Sequence, residues 1–372
     1  MSTWIVPLAL EEAAWEAARR EVGEAKVTEA ALARSVVDRS LRYTSERDRL
    51  ATPTDPVGDL AARATFFTVA DAIKVGIPLR ELLSAGALPA ARPLRIVDLG
   101  AGCGAMTLGA LAILDVPLAV TAIDHDVRAL RIAAAAGTAF AAARGLPFVV
   151  HTRPGDVVTA AIPACDLVVL GSVLNELPAD AQLGVVPRAL AAVGPDGAVI
   201  VVEPALRETS RALHGVRDAM LAAGAHVFAP CTRASAPCPM LADARDWCHE
   251  DRPVQLPTRT GTLARRTHLR DAGLRFSYLV LRHAAEPRLA PAGAWRAVSA
   301  PMPDKGKLEL FGCGEPGRVT LRLLKRNRAD GNRGVERARR GDVLTIDAPV
   351  DGDRVEIAGG TAVSRTDPSA KP

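Results

Sequence analysis

No uncharged apolar run in the chain is long enough to span a bilayer, which excludes a transmembrane helix and a membrane partner. Cysteine is scarce. Six in 372 residues do not make a disulfide scaffold, and a reducing cytoplasm is the expected location. The opening stretch MSTWIVPLALEEAAWEAARR lacks a basic n-region and carries Glu11, Glu12 and Glu16 early. It reads as neither a secretory signal nor an Arg-rich transit peptide. There is no large excess of one charge: 46 Lys and Arg stand against 42 Asp and Glu, and 24% charged residues exclude a disordered polyelectrolyte. Internal repeats are absent. What remains is a chain with 49% hydrophobic residues, long enough to bury a core in two or three structural units.

Residues 1–92 read as a helical region. In TEAALARSVVDRSLRY, Leu32, Val36 and Val37 recur at helical spacing. The period then changes. LRIVDLG, LAVTAID, PFVVHT, DLVVLGS and AVIVVE are short runs rich in Val and Ile, each followed by a helical or loop stretch. Buried parallel strands alternating with helices have this signature, so residues 93–285 are expected to form a doubly wound α/β domain, with HVFAP and RFSYLVLR as its last strands. A Cys-, Pro-, Arg- and Asp-rich insertion, 231–273, separates those two and is too long for an ordinary loop. Residues 286–358 read as a link and a small basic β appendage, and 359–372 as a disordered tail.

The segment RIVDLGAGCGAM ends a strand at Asp98-Leu99, after which Gly100, Gly102 and Gly104 let the backbone turn tightly and approach a ligand at a helix N-terminus. Glycine spacing alone also fits a dinucleotide fingerprint, or a plain strand–helix turn. Asp98 separates the readings, because a carboxylate repels a pyrophosphate but suits S-adenosylmethionine, which has a cationic ammonium and sulfonium and no phosphate. Here the sequence resembles the class I S-adenosylmethionine-dependent methyltransferases. That resemblance implies cofactor-binding roles for Asp98 and the three glycines, for Asp124 on the ribose hydroxyls and for Asp156 at the adenine. It also implies a substrate-side position for Asn175 and Glu176, with Asn175 a cofactor contact as well. The Asn/Asp-Pro-Pro-aromatic pattern of many amino-group methyltransferases is replaced by Asn175-Glu176-Leu177-Pro178, and no cysteine nucleophile is evident; Cys103 and Cys165 read as packed residues.

Cys231, Cys238, Cys248 and Cys313 stand in polar, Pro- or Gly-rich company, unlike buried structural cysteines. Four thiolates suit either tetrahedral zinc or an iron–sulfur cluster. Tight C-x₂₋₄-C pairs are missing, and Cys238-Pro239 matches the Cys-Pro step of ferredoxin-type ligation. His249 is a substitute ligand or a loop histidine.

The block VVEPAL…FAPCTRASAPCPM…DWCHEDRPVQ…RFSYLVLR, followed by one later cysteine and GRVTLRLLKRN…ARRGDVL, resembles a methyltransferase-like family. Its members assist assembly of the mitochondrial ribosomal small subunit, and it has bacterial relatives. The resemblance runs from about residue 93 to 347. It implies a S-adenosylmethionine-binding fold, a [4Fe–4S] cluster on the four cysteines, and contact with small-subunit rRNA or a pre-30S particle. From Arg318 to Gly341 nine cationic side chains face only Asp330 and Glu336, a local net of +7 that leaves −3 for the rest of a chain totalling +4. Arg318, Arg322, Lys325, Arg326, Arg328, Arg339 and Arg340 are the expected RNA contacts, through phosphate rather than base stacking because aromatics are nearly absent there. The expected protein is an RNA-facing, S-adenosylmethionine-binding, methyltransferase-like protein of ribosome assembly with a [4Fe–4S] cluster, or zinc in its place, and active rRNA methylation is one form of that reading. The alternatives are an assembly factor that only binds S-adenosylmethionine, and a small-molecule methyltransferase with a structural or redox-sensing metal site.

Overall fold

The computed structural model describes residues 3–44, 53–233, 235–270 and 273–370. Its centre is a sheet of seven sequential strands: β1 (Leu94–Leu99), β2 (Leu118–Asp124), β3 (Phe148–Pro154), β4 (Cys165–Gly171), β5 (Val193–Pro204), β6 (His226–Ala229) and β7 (Leu274–Arg282). Each Val- and Ile-rich run is a strand. Their order is β3-β2-β1-β4-β5-β7-β6, and the strands from β3 to β5 pair in parallel while β7 runs antiparallel to both β5 and β6. The order reverses between β1 and β4, which opens a crevice at the carboxyl ends of those strands.

Before the sheet lie α1 (Leu8–Val22), α2 (Glu29–Thr44), α3 (Pro56–Ala62), α4 (Thr68–Asp71) and α5 (Gly76–Ser84). Asp55 starts α3 by accepting from the Gly58 N–H, with Pro56 at the first helical position. Between α3 and α4 the chain makes a π-helical turn, Arg63–Phe67. These helices share one hydrophobic core with a face of the central sheet and with α6 (Ala105–Ile113) and α7 (Val127–Arg144). On α2 the helical period holds with a correction. Leu32 and Val36 are buried, but Val37 faces solvent, and the inward positions that follow belong to Arg39 and Arg42.

On the other face, α8 (Ala179–Ala192) and α9 (Arg207–Ala222) pack over a second core. The 231–273 insertion carries the short strand Glu250–Arg252 on the β7 edge and α10 (Thr258–Thr267). The C-terminal part is a separate sheet with its own core, built from β8 (Trp295–Ala297), β9 (Lys307–Gly314), β10 (Gly317–Leu324), β11 (Val343–Ile346), β12 (Arg354–Ile357) and β13 (Val363–Thr366). Its strand order is β12-β10-β9-β8-β11-β13, with Val350–Asp351 outside β12 and Met302–Asp304 beside β9. The expected disordered tail is corrected here. Residues 363–366 pair with β11, and Arg80 and Ser84 donate to the carbonyls of Ser369 and Pro368, so hydrogen bonds replace solvent along this end. Residues 371 and 372 lie outside the described residues.

Four parts of the chain meet at one buried guanidinium. Arg296 of β8 pairs with Glu81 of α5 (2.8 Å) and with Glu250 of the insertion (3.0 Å), and donates to the Tyr278 hydroxyl of β7 (2.8 Å). Tyr278 donates in turn to Glu81 (2.7 Å), and Arg252 pairs with Glu250 (3.0 Å). Burial pushes the Glu81 carboxyl up; at Glu250 burial is outweighed by Arg252 and Arg296, which hold it below the usual range. Truncating one member of such a network strands the others without charge compensation. Arg296→Met is expected to lower unfolding stability by about 3–5 kcal/mol, and denaturant melts of the variant against wild type measure it.

Candidate functional site

At the crevice, Gly100, Gly102 and Gly104 all take positive φ, +77°, +51° and +88°. A Cβ at Gly104 would stand 2.9 Å from the Ala133 Cβ of α7, whereas one at Gly102 would meet nothing within 4 Å. The loop is thus pressed on the helix behind and open in front, as a seat for a ligand requires. Asp124, at the end of β2, accepts from the Gly102 and Asp126 N–H groups, both at 2.8 Å. Gly155 donates to the Asp124 carbonyl, which brings Asp156 to the same rim; the exposed Asp156 carboxylate accepts from the Val158 N–H (2.6 Å).

Asp98 sits deeper. Its Oδ2 accepts from the Thr107 N–H (3.1 Å) and hydroxyl (2.6 Å), which caps α6 from the neighbouring strand. Burial pushes its pKa up to about 6. Its Oδ1 is buried without a hydrogen-bond partner among the described residues. An unsatisfied acceptor behind a glycine loop, beside Asp124, fits a ligand with an ammonium group and does not fit a phosphate.

Asn175 and Glu176 lie in the turn after β4, following Ser172 in the left-handed region (φ +60°). Sequence reasoning missed what holds this turn. Glu203, at the end of β5, accepts from the N–H groups of Val173 (3.1 Å), Leu174 (2.9 Å) and Asn175 (3.3 Å) and from the Asn175 side-chain amide (2.8 Å). Burial pushes Glu203 up to about 7, against the pull of those donors. The available signal was a lone acid closing an apolar strand, as at Asp98 and Asp124. Asn175, Gln182, Glu203, Glu208 and Thr209 line a recess of about 220 Å³ beside the turn, together with Leu174, Leu177, Ala212 and Leu213.

The N-terminal helices close over the crevice. Arg63, at the π-helical turn, pairs with Asp126 and with Asp59 (3.2 Å). Arg39 reaches Asp59 (3.5 Å) and Glu176 (3.6 Å), and Arg42 pairs with Asp59. Glu176 has 37% of its side chain exposed, yet the protein walls around it still push its carboxyl up.

A second site lies at the other edge of the sheet. Cys231 follows β6, Cys238 precedes the short helix Pro239–Leu241, Cys248 precedes Glu250–Arg252, and Cys313 belongs to β9. All four line one cavity of about 40 Å³, and Cys231, Cys248 and Cys313 also border a second of about 30 Å³. None is in a disulfide. Their backbone is held on several sides: Cys238 N–H donates to Asp218 (3.0 Å), Cys248 N–H to His214 (3.0 Å), and Thr232 to the Cys313 carbonyl (2.9 Å). Burial pushes the Cys238 and Cys248 thiols up to about 12 and Cys313 further, with the neighbouring cysteines adding to the shift. Among the described residues, no group of three His, Cys, Asp or Glu is arranged to hold a single metal ion. Cys103 and Cys165 lie apart, buried in the glycine loop and at the start of β4.

The basic stretch is less available than its charge suggests. Arg318 pairs with Asp246 (2.7 Å) and covers the Phe311 ring, Arg322 pairs with Glu356, Arg328 with Glu336 (2.6 Å) and Arg333 with Asp330 (2.8 Å). Arg340 donates to the His249 carbonyl (3.3 Å) and borders the cysteine site. Arg339 is half-buried, and Lys325, Arg326 and Arg337 are exposed and form no ion pair among the described residues. Arg318, Arg322, Arg328 and Arg340, expected as RNA contacts, are thus already engaged in the folded chain: Asp246 and Glu356 come from outside the stretch, Glu336 from within it, and the His249 carbonyl from the insertion.

No helix among the described residues is long and apolar enough to cross a membrane. Comparison with curated proteins finds no match. Among solved structures, magnesium protoporphyrin IX methyltransferase from Synechocystis PCC 6803 is 13% identical, over 67% of this chain and 97% of that one, with a TM-score of 0.36. A class I S-adenosylmethionine-dependent methyltransferase, so described provisionally, from Listeria monocytogenes is 11% identical over 75% and 90%, with a TM-score of 0.38. At these scores the likenesses say nothing of activity or substrate. The model of the family described as mitochondrial small ribosomal subunit Rsm22 matches residues 75–345, a span holding the glycine loop, all four site cysteines and the basic stretch. With more than two thirds of its length matched, the chain belongs to the mitochondrial small ribosomal subunit Rsm22 family.

Proposed function

We propose that this is a S-adenosylmethionine-binding, methyltransferase-like protein that acts with small-subunit rRNA in ribosome assembly and carries a [4Fe–4S] cluster on Cys231, Cys238, Cys248 and Cys313. The observation that carries the reading is the gathering of four cysteines, separated by gaps of 6, 9 and 64 residues, around one cavity. Buried thiols ionise only beside a cation, and iron would supply that charge. The cluster's role is structural: it ties β9 to the insertion and removes freedom from a long intervening segment. Asp124 holds the ribose of S-adenosylmethionine, Asp98 faces its ammonium, Asp156 its adenine, and the glycine loop lets the backbone approach. When bound, that cofactor supplies an electrophilic methyl group.

A second reading, cofactor binding without turnover, is favoured by one observation. The Asn175 amide and Glu203 are engaged with each other in holding the 173–175 turn. Methyl transfer from labelled S-adenosylmethionine to purified 30S particles separates the two readings.

Three outcomes follow from the proposal. Asp124→Ala should weaken S-adenosylmethionine binding about ten- to a hundredfold, as loss of a charged hydrogen-bond acceptor costs roughly 1.5–3 kcal/mol; calorimetry reads this directly. Anaerobically purified protein should be brown with about four irons per chain, and serine at any of the four site cysteines should bleach it. Cys103→Ser and Cys165→Ser should keep the colour, and a colourless protein holding one zinc would point to zinc instead. Alanine at Lys325, Arg326 and Arg337 together should reduce the slope of log affinity for rRNA against log salt by up to about 2–3, at about 0.7–0.9 per phosphate lost.

A further inference from the structure

Three of the four tryptophans are buried: Trp4 at 7% exposure, Trp15 at 5% and Trp295 at 4%. Trp247 is the exception at 36%, in a chain with only 3% aromatic residues. An indole left one-third exposed forgoes part of the burial that stabilises the other three, so its setting matters. Its ring stacks on His249 with centroids 6.0 Å apart and planes 24° from parallel. The loop that carries it is clamped from below. Arg211 of α9 donates to the carbonyls of Met240 (2.8 Å), Asp243 (2.7 Å) and Asp246 (2.9 Å), and the Cys248 N–H is fixed on His214. The exposed ring is therefore held by its backbone and does not hang on a mobile turn.

The rim carries guanidinium groups in surface ion pairs, which solvent screens and a phosphate can displace. Arg245 is 86% exposed and Arg275 66% exposed, paired at the surface with Asp243 and Asp251. Arg318 pairs with Asp246 and Arg340 donates to the His249 carbonyl, so both ends of the basic stretch touch the residues flanking Trp247. An aromatic face among guanidinium groups is the recognition chemistry of single-stranded nucleic acid, where bases stack and phosphates meet the cations. We propose that Trp247 is a stacking seat for one unpaired RNA base, set beside the cysteine site and flanked by the exposed guanidinium groups of Arg245 and Arg275. This rests on the RNA reading above and deepens it: the partner is single-stranded RNA, read partly through a base face.

The test uses the full chain, purified anaerobically, and a short fluorescein-labelled single-stranded RNA of mixed sequence, with an RNA duplex of equal length beside it. Anisotropy titrations over a salt series are expected to show Trp247→Ala weakening single-strand binding about 5- to 100-fold. Trp247→Phe should recover most of the loss, and duplex binding should be unchanged. The salt slope should stay at the wild-type value for both variants, because no phosphate contact is removed. For the wild type, photocrosslinking to 4-thiouridine RNA should place an adduct on the peptide that contains Trp247, a measurement that does not depend on any variant folding. Unchanged single-strand affinity in Trp247→Ala, or adducts confined to peptides elsewhere, would overturn the stacking seat while leaving phosphate binding standing; the exposed indole would then be a seat for protein. Absence of salt-dependent RNA binding by the wild type would overturn the RNA reading and this inference together.

Discussion

A guanidinium removed from water needs counter-charge and acceptors, and the Nη2 of Arg296 obtains them only when four separate parts of the chain are in place. Glu81 comes from the N-terminal helices, Tyr278 from the central sheet, and Glu250 from the insertion, while Arg296 itself starts the C-terminal sheet. Apolar surfaces could slide over one another at little loss, but a buried ion pair is directional. The orientation of the second sheet against the first is therefore tied to this node. Cross-strand register extends the consequence outward. On β8, β9 and β10, Arg296, Cys313 and Arg318 stand directly opposite one another, so seating the arginine also seats a cysteine of the second site and the first residue of the basic stretch.

Helix α9 couples the two candidate sites in a similar way. Glu208, Thr209 and Ala212 line the recess beside Asn175 and Glu203. Arg211, His214 and Asp218, at helical spacing on another face, hold the cysteine-bearing loop through its carbonyls and N–H groups. One rigid element thus carries supports for both, and neither site depends on a free loop for its shape. The crevice differs in having a cover. Arg39 and Arg63 bridge the N-terminal helices to Glu176 and Asp126, and these bonds must accommodate any ligand seated on the glycine loop.

The basic stretch shows how far a charge count can mislead. Nine cations against two acids make an excess along the sequence, but Asp246, Glu309 and Glu356 lie outside the counted window and are brought to it by folding. What reaches solvent unpaired is a smaller set around Lys325, Arg326 and Arg337. The Trp247 ring, by contrast, gains meaning from the fold. Along the chain it is one aromatic in a loop, and only the fold joins its flanks, Asp246 and His249, to Arg318 and Arg340 at the two ends of the basic stretch.

Much of the architecture was written locally. Strand positions follow from Val- and Ile-rich runs because a strand buried on both faces must be apolar throughout, and the glycine loop declares itself because only glycine takes three positive φ values in five residues. Asp98 and Asp124 were legible as acids closing such strands. The roles of Glu203, Arg296 and Arg211 were not, since their partners lie 18 to 215 residues away in the chain and a buried polar residue looks the same in sequence as an exposed one. The tail shows the same limit: its polar, Pro-containing sequence reads as disordered, yet β11 and the α5 side chains satisfy its backbone. Sequence alone determined the order of elements and marked the candidate ligand residues, because these depend on neighbours a few positions apart. Which of those residues are free to act was decided only by tertiary structure, because desolvation and ion pairing depend on whatever the fold places against them.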